Sequence, residues 1–437
     1  MSVAAIRSGA TAGFRAFRHR NYRLFFAGQA ISLVGTWMQQ VAQAWLVLQL
    51  TRDPLWLGII TAAQFVPVLL FGLFAGVVAD ALPKRRTLIA VQTAMMALAV
   101  LLGALVVTGV VQVWMILVIA LLLGVANAVD MPVRQAFAVE MVGREAVPNA
   151  VALNSAMFNA ARIVGPAIAG LVIAAIGVAA AILLNGVSFL AVIAGLLLMR
   201  DDELHTSSIA IARPKTGREV IESLREGVAY VVATPIVLLT VVVVGLVSTF
   251  ALNFQVLIPA YAQFVLGVGA DGYGFLMSAG GAGSLIAALW LAFGAGARAA
   301  LLGAGALLLG LAEVGLGVSA AFPLGLALMF VAGAGGVTMA VTANTMIQHR
   351  VPDNLRGRVI AVYTTVFVGS TPIGGLIVGV IASSAGSAPA ILLSGLTAVL
   401  IGVVALVWVR RTNETRAPIT LRDAARGGAA MAPLRRR

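Results

Sequence analysis

Apolar runs of about 20 residues recur along this chain, each long enough to cross a bilayer as a helix. They cover residues 24–48, 56–79, 87–108, 114–137, 149–175 and 181–199. After a polar stretch they resume at 234–258, 272–293, 299–319, 323–346, 357–381 and 389–409. The runs do not alternate in polarity, which excludes an outer-membrane barrel. Hydrophobic residues make up 61% of the 437 and charged residues only 10%, more apolar surface than a soluble domain can hide. The pattern predicts an all-α integral membrane protein with twelve transmembrane helices.

The formal charge of +13 follows topology rather than one soluble basic module, so nucleic acid is not an expected partner. With the N-terminus inside, the inner segments hold Arg7, Arg15, Arg18, Arg20, Arg23, Lys84, Arg85, Arg86 and Arg144. They also hold five basic residues from Arg200 to Arg225, then Arg298, Arg350, Arg356, Arg358 and eight arginines after Val409, leaving Arg52 alone on the outside. This bias places both termini in the cytoplasm and brings the tail close to anionic lipid. The first 20 residues carry no apolar core, so the first span is the expected targeting signal rather than a cleaved peptide. Phe14 and Phe17, interleaved with Arg15 and Arg18, predict a short interfacial helix. There are no cysteines, hence no disulfide or thiolate metal site. His19, His205 and His349 sit in separate segments and predict no metal centre.

The longest polar stretch lies between the sixth and seventh spans, turns at Pro214, and continues as REVIESLREG, the pattern of a surface helix. It divides the chain into a basic N-terminus (1–23), a six-helix bundle (24–199), a cytoplasmic linker (200–233), a second six-helix bundle (234–409) and a basic tail (410–437). The bundles resemble each other. Val151-Ala152-Leu153, Phe158, Gly165, Gly170 and Gly177 recur 209 residues later as Ile360-Ala361-Val362, Phe367, Gly374, Gly379 and Gly386.

Polar residues inside the spans are spaced for one helical face. In the first span Gln29, Ser32, Thr36, Gln40 and Gln43 fall within about 80° of arc. The tenth carries Thr338, Thr342, Thr345 and His349; the fourth, Asn127, Asp130 and Arg134; the seventh, Ser248 and Gln255 with Asn253 beside them. In lipid such faces leave donors and acceptors unsatisfied. Helix–helix hydrogen bonding would satisfy any one of them; four together point to a shared aqueous substrate cavity, with Trp37 and Trp45 near it.

Ionisable residues at membrane depth are few. Arg162, near the centre of the fifth span, costs roughly 2.5–3.5 kcal/mol without a partner. Asp130 is the candidate partner, with Arg134 competing for it. The pair reads either as a static structural bridge, as a protonatable switch or as an anion-binding arginine. Glu313 in the ninth span is the second candidate for proton coupling. A carboxylate alternating between arginine-paired and protonated states would couple proton flow to conformational change.

Between the second and third spans, Gly76, Asp80 and the cluster Lys84-Arg85-Arg86 resemble the signature loop of the major facilitator superfamily. The resemblance implies a cytoplasmic gate, although Ala81 and Pro83 depart from its usual basic residue and glycine. In the fifth span Gly165-Pro166 followed by Ala169-Gly170 resembles the superfamily's export-associated element, with Ala161 and Ala169 in place of glycines. The strings SLVGTWMQQVAQAWLVLQLT (32–51), DMPVRQAFAVEMVGRE (130–145) and ALNSAMFNAARIVGPAIAG (152–170) are similar to the transmembrane secretion effectors, the branch grouped with the enterobactin exporter. What this implies is a major facilitator fold of two pseudo-symmetric six-helix bundles in a bacterial cytoplasmic membrane, exporting drugs or siderophores. Related branches often carry an acid in the first span, where this chain has Thr36.

The glycines from Gly303 to Gly310 resemble a nucleotide loop only superficially, because they lie inside an apolar span with no preceding strand and no acidic ribose ligand, so helix packing is their expected role. There is no GxxxxGK[ST], so a proton gradient rather than ATP is the expected energy source, and no cofactor is expected. Nothing groups a nucleophile, base and acid, and nothing resembles a selectivity filter, so neither enzyme nor channel is expected. Two readings remain: a proton-coupled exporter of an amphipathic small molecule, and an uptake facilitator or symporter for a polar nutrient. Either would work as a monomer among membrane lipids.

Overall fold

The computed structural model describes residues 15–205, 217–295 and 298–412; the side chains of 72–81, 217–221 and 294–295 are outside that set. Arg7, Phe14, Pro214 and the tail arginines from Arg416 onward lie outside the described residues. Every regular element among the described residues is helical. After a single 3-10 turn, Arg15–Arg18, come α1 (Arg20–Thr51), α2 (Pro54–Ala81), α3 (Lys84–Val107), α4 (Val113–Ile176) and α5 (Val178–Leu197). Then follow α6 (Gly217–Ala233), α7 (Pro235–Phe250), α8 (Phe254–Phe264), α9 (Ala270–Trp290), α10 (Ala299–Val318), α11 (Phe322–Arg350), α12 (Asp353–Ala385) and α13 (Ser387–Arg411).

Ten helical segments among the described residues are long and apolar enough to cross a membrane. One is the 64-residue α4, where the sequence predicts two spans joined by a loop. The chain there is helical on both sides of a single break at Gly143 (φ 68°, ψ 166°), a conformation open to glycine and strained for other residues. α1 is 32 residues long but not among the ten, because its polar stripe dilutes its apolar content. The seventh predicted span is not one continuous helix. It breaks between α7 and α8, where the Asn253 amide donates to the Thr249 carbonyl at 2.7 Å and competes with the backbone ladder. Ser248 and Gln255 therefore sit on different helices.

Outward faces carry Leu171, Val187, Leu197, Leu246, Val318 and Leu400, all exposed. Helices with apolar exteriors and glycine- and alanine-lined contacts are built for lipid.

The chain forms two compact units, Met1–Leu46 with Pro67–Arg213, and Val47–Val66 with Pro214–Arg437. In the first, α1, α3, α4 and α5 bury Tyr22, Phe25, Leu88, Val133, Phe137, Met141, Val192 and Leu196 in one cluster. In the second, α10 is gripped on two sides. A β-carbon added at Gly303 or Gly310 would lie 2.9 Å from the carbonyl oxygen of Gly402 or 2.6 Å from that of Gly395, both on α13; one at Gly305 would lie 2.8 Å from Gly335 on α11. The glycines that superficially resemble a nucleotide loop are packing surface. α6, predicted as a surface helix, docks on this unit through buried Tyr230 and Val231 and an ion pair between Glu226 and Arg358 of α12.

The internal repeat reappears as geometry. Gly177 joins α4 to α5 at φ 91°, ψ 168°, and Gly386 joins α12 to α13 at φ 95°, ψ 162°. Each amide donates to the carbonyl four residues back at 3.0 Å.

Candidate functional site

In the first unit, Asp130 is 1% exposed on α4. Its carboxylate accepts from Gln92 Nε2 of α3 at 2.8 Å and pairs with the Arg134 guanidinium one turn along. Pro132 lies between them and has no N–H to complete the helix ladder. Gln92 Oε1 and Arg134 Nε are buried without a hydrogen-bond partner, so the cluster retains unused polar capacity. Of the alternatives open from sequence, Arg134 and not Arg162 holds Asp130. Arg162 is half-buried and makes no ion pair or hydrogen bond with any described residue. Gln92 was not singled out from sequence; a lone amide in the apolar third span is the signal that could have found it. Asn127 turns its amide back to the Leu123 carbonyl at 2.9 Å.

The α1 stripe is largely inside the protein. Gln29, Ser32 and Gln43 are buried, Thr36 donates to the Ser32 carbonyl at 2.9 Å, and Gln29 Oε1 lacks a partner; Gln40 is hydrogen-bonded or otherwise engaged. A neighbouring polar seam also escaped the sequence reading. Asn185 of α5 donates to Gln39 Oε1 at 2.5 Å, with Ser188 beside it. The export-type element lies where α4 meets α1: Gly165 and Pro166 are buried, and a β-carbon on Gly165 would lie 2.5 Å from Trp37 Cβ. Gly170 is buried further along the same helix. Trp37 meets Phe158 edge-on at 5.7 Å.

Of the loop resembling the superfamily signature, Gly76 and Asp80 fall within α2, and their side chains lie outside the described residues. Lys84 pairs with Glu140 at 2.7 Å. Arg85 pairs with Asp201 at 2.5 Å and donates to the Leu196 and Leu197 carbonyls at 2.8 and 3.0 Å, a cation at the negative end of α5. Arg86 is exposed.

In the second unit, Ser248 and Thr342 are buried with hydroxyls that have no partner. Thr338 and Thr345 each donate to the carbonyl four residues back at 2.8 Å. Asn253 is buried at the α7–α8 break, and Gln255 is engaged. Glu313 is 1% exposed, with Oε2 unpartnered. It lies in the tight α10–α13 contact beside Gly395. No group of three or more His, Cys, Asp or Glu suited to a metal ion occurs among the described residues.

Solved structures with the same fold include the nucleoside transporter NupG (TM-score 0.69, 10% identity, 89% of this chain and 98% of that one). A bacterial homolog of the human lysosomal transporter Spinster matches at TM-score 0.70 and 11% identity, over 91% of this chain and 97% of that one. In sequence the chain is 30% identical over 385 residues to the multidrug efflux pump Tap of Mycolicibacterium fortuitum, covering 86% of this chain and 92% of Tap. It is also 30% identical over 147 residues to the staphyloferrin A transporter of Staphylococcus aureus, 33% of this chain and 37% of that protein. The model of the transmembrane secretion effector family matches residues 11–422. With this helical architecture and that match over nearly its whole length, the chain is a multi-pass membrane transporter of the major facilitator type and belongs to the transmembrane secretion effector family.

Proposed function

We propose that this protein is a secondary active exporter, moving an amphipathic small molecule of the drug or siderophore class out of the cell in exchange for protons by alternating access. The observation that carries the coupling is the buried Asp130–Arg134–Gln92 cluster. A carboxylate held by one charged and one neutral donor has a stable partner when ionised and a remaining hydrogen-bond partner when neutral, as a proton switch requires. Asp130 is the coupling carboxylate in this reading, Arg134 its counter-ion, Glu313 the second candidate, and Arg162, without an ion-pair partner among the described residues, a cation available to an anionic group. The polar residues of α1, α4, α7 and α11 supply hydrogen bonds along the substrate path. The 30% identity to Tap supports the export direction.

The same proposal has twelve crossings in a bacterial cytoplasmic membrane, both termini inside, residues 24–199 and 234–409 as functional halves, and the monomer as working unit. Dye or drug flux in inverted vesicles tests it, comparing wild type with Asp130→Asn, with and without an uncoupler. Accumulation that the uncoupler abolishes and the variant lacks, at equal protein level, is the expected result. Accumulation retained in Asp130→Asn removes Asp130 from the coupling path. Absence of accumulation with any compound, together with uptake by whole cells, replaces export by the nutrient-uptake reading.

A further inference from the structure

The lining of one recess in the first unit takes no part in the transport reading. It has a volume of about 620 Å³ and is walled by Arg15, Arg18 and His19 from the start of the chain, by residues 142–146 at the α4 break, and by His205. That volume is within the range of small-molecule sites. Arg15, Arg18 and Arg144 are exposed, and none has an ion pair or hydrogen bond with another described side chain. Glu145 is the single carboxylate in the lining. Three guanidiniums against one carboxylate leave the recess net positive.

The backbone that carries these groups is held in place. Ala16 is fully buried, and its amide donates to Asn149 Oδ1 at 2.9 Å. The Tyr22 hydroxyl lies 3.1 Å from the Ala150 carbonyl and from Asn154 Oδ1, and Phe17 packs on Phe26 and Tyr22. On the opposite wall the His205 amide donates to the Glu140 carbonyl at 2.8 Å, with Nδ1 3.3 Å from the same oxygen. A carbonyl only accepts, so that contact makes Nδ1 the protonated nitrogen. The His19 and His205 rings meet edge-on at 5.4 Å, and the His205 ring covers Gly143.

We propose that this recess binds a phosphoryl group, carried either by an anionic phospholipid headgroup or by soluble phosphate. Guanidiniums match phosphate oxygens two at a time, and basic pockets on the cytoplasmic side of membrane helices suit anionic headgroups. Binding strengthens as pH falls. Burial and the neighbouring His205 hold the His19 imidazole below its ordinary value, and a bound anion offsets that by favouring its cation. The groups facing His19 are Arg15, Arg18, Arg144, Glu145 and His205 in this recess, and Arg20, Asp202 and Glu203 in the adjoining one.

The test uses the full-length protein in phosphatidylcholine nanodiscs. One arm replaces part of the lipid with phosphatidylglycerol; the other adds inorganic phosphate against chloride at constant ionic strength. Melting temperature and lipid retention in native mass spectrometry are read at pH 6 and pH 8. Wild type should be stabilised in at least one arm, more at pH 6, with the triple variant Arg15→Gln/Arg18→Gln/Arg144→Gln binding at least about tenfold more weakly. Single Arg144→Gln, a change at an exposed position, serves if the triple variant does not fold, and Arg410→Gln/Arg411→Gln controls for loss of basic charge elsewhere. His19→Gln should flatten the pH dependence. Stabilisation by phosphatidylglycerol alone assigns a lipid headgroup; stabilisation by phosphate as well assigns a soluble anion. No response in either arm, or an arginine variant that responds like wild type, overturns the proposal.

Discussion

Asp130 and Arg134 stand four residues apart, one turn along α4, so their pairing was within reach of spacing rules. The sequence nevertheless left Arg162 and Arg134 as rivals for the same carboxylate, because hydropathy places residues by depth and not by azimuth. Gln92 completes the cluster from a helix about 40 residues away in sequence, and no local pattern announces such a partner. Removing one member of a buried pair leaves an uncompensated charge and costs roughly 3–5 kcal/mol, whereas removing both costs less. Arg134→Ala should therefore lower the unfolding temperature more than Arg134→Gln/Asp130→Asn does, measured by thermal unfolding in detergent. Equal losses in the two variants would mean that the pair stabilises the fold only through side-chain packing.

Among the elements, the breaks were less legible than the helices. Continuous apolar content predicted the long segments, but it could not show that 137–149 stays helical around one glycine, or that 234–258 is cut at Asn253. Both depend on a single residue's conformation or hydrogen bond. At Gly143 a side chain would meet two obstacles: a left-handed backbone (φ 68°) and the His205 ring, 3.2 Å from the added carbon. Gly143→Ala is expected to destabilise the protein by about 1–3 kcal/mol and to displace His205, which the nanodisc assay would register as weaker anion binding. An unchanged melting temperature and unchanged binding would show that the break tolerates a β-carbon. The hairpin glycines Gly177 and Gly386 tell the opposite story. Their 209-residue offset was visible in sequence, and the structure gives both the same backbone conformation.

For the whole molecule, the absence of native cysteines makes topology directly measurable. Arg52→Cys and Arg298→Cys, introduced singly, should react from opposite sides with a membrane-impermeant maleimide. Arg52→Cys should label in intact cells, and Arg298→Cys only in inverted vesicles. The same labelling side for both would break the inside-positive arrangement on which the proposed topology rests.

Sequence alone determined the class of solvent this chain needs, its all-helical character and its family resemblance. Those follow from composition, run length and contiguous motifs, which are properties of neighbours along the chain. The existence of polar faces was also determined there, because helical periodicity is local. Only the tertiary structure decided which amide supports Asp130, which helices the glycines of α10 pack against, and that His19 and His205 meet at the α4 break. Each of these joins residues distant in sequence, and such meetings are settled by how whole helices pack rather than by any pattern within one of them.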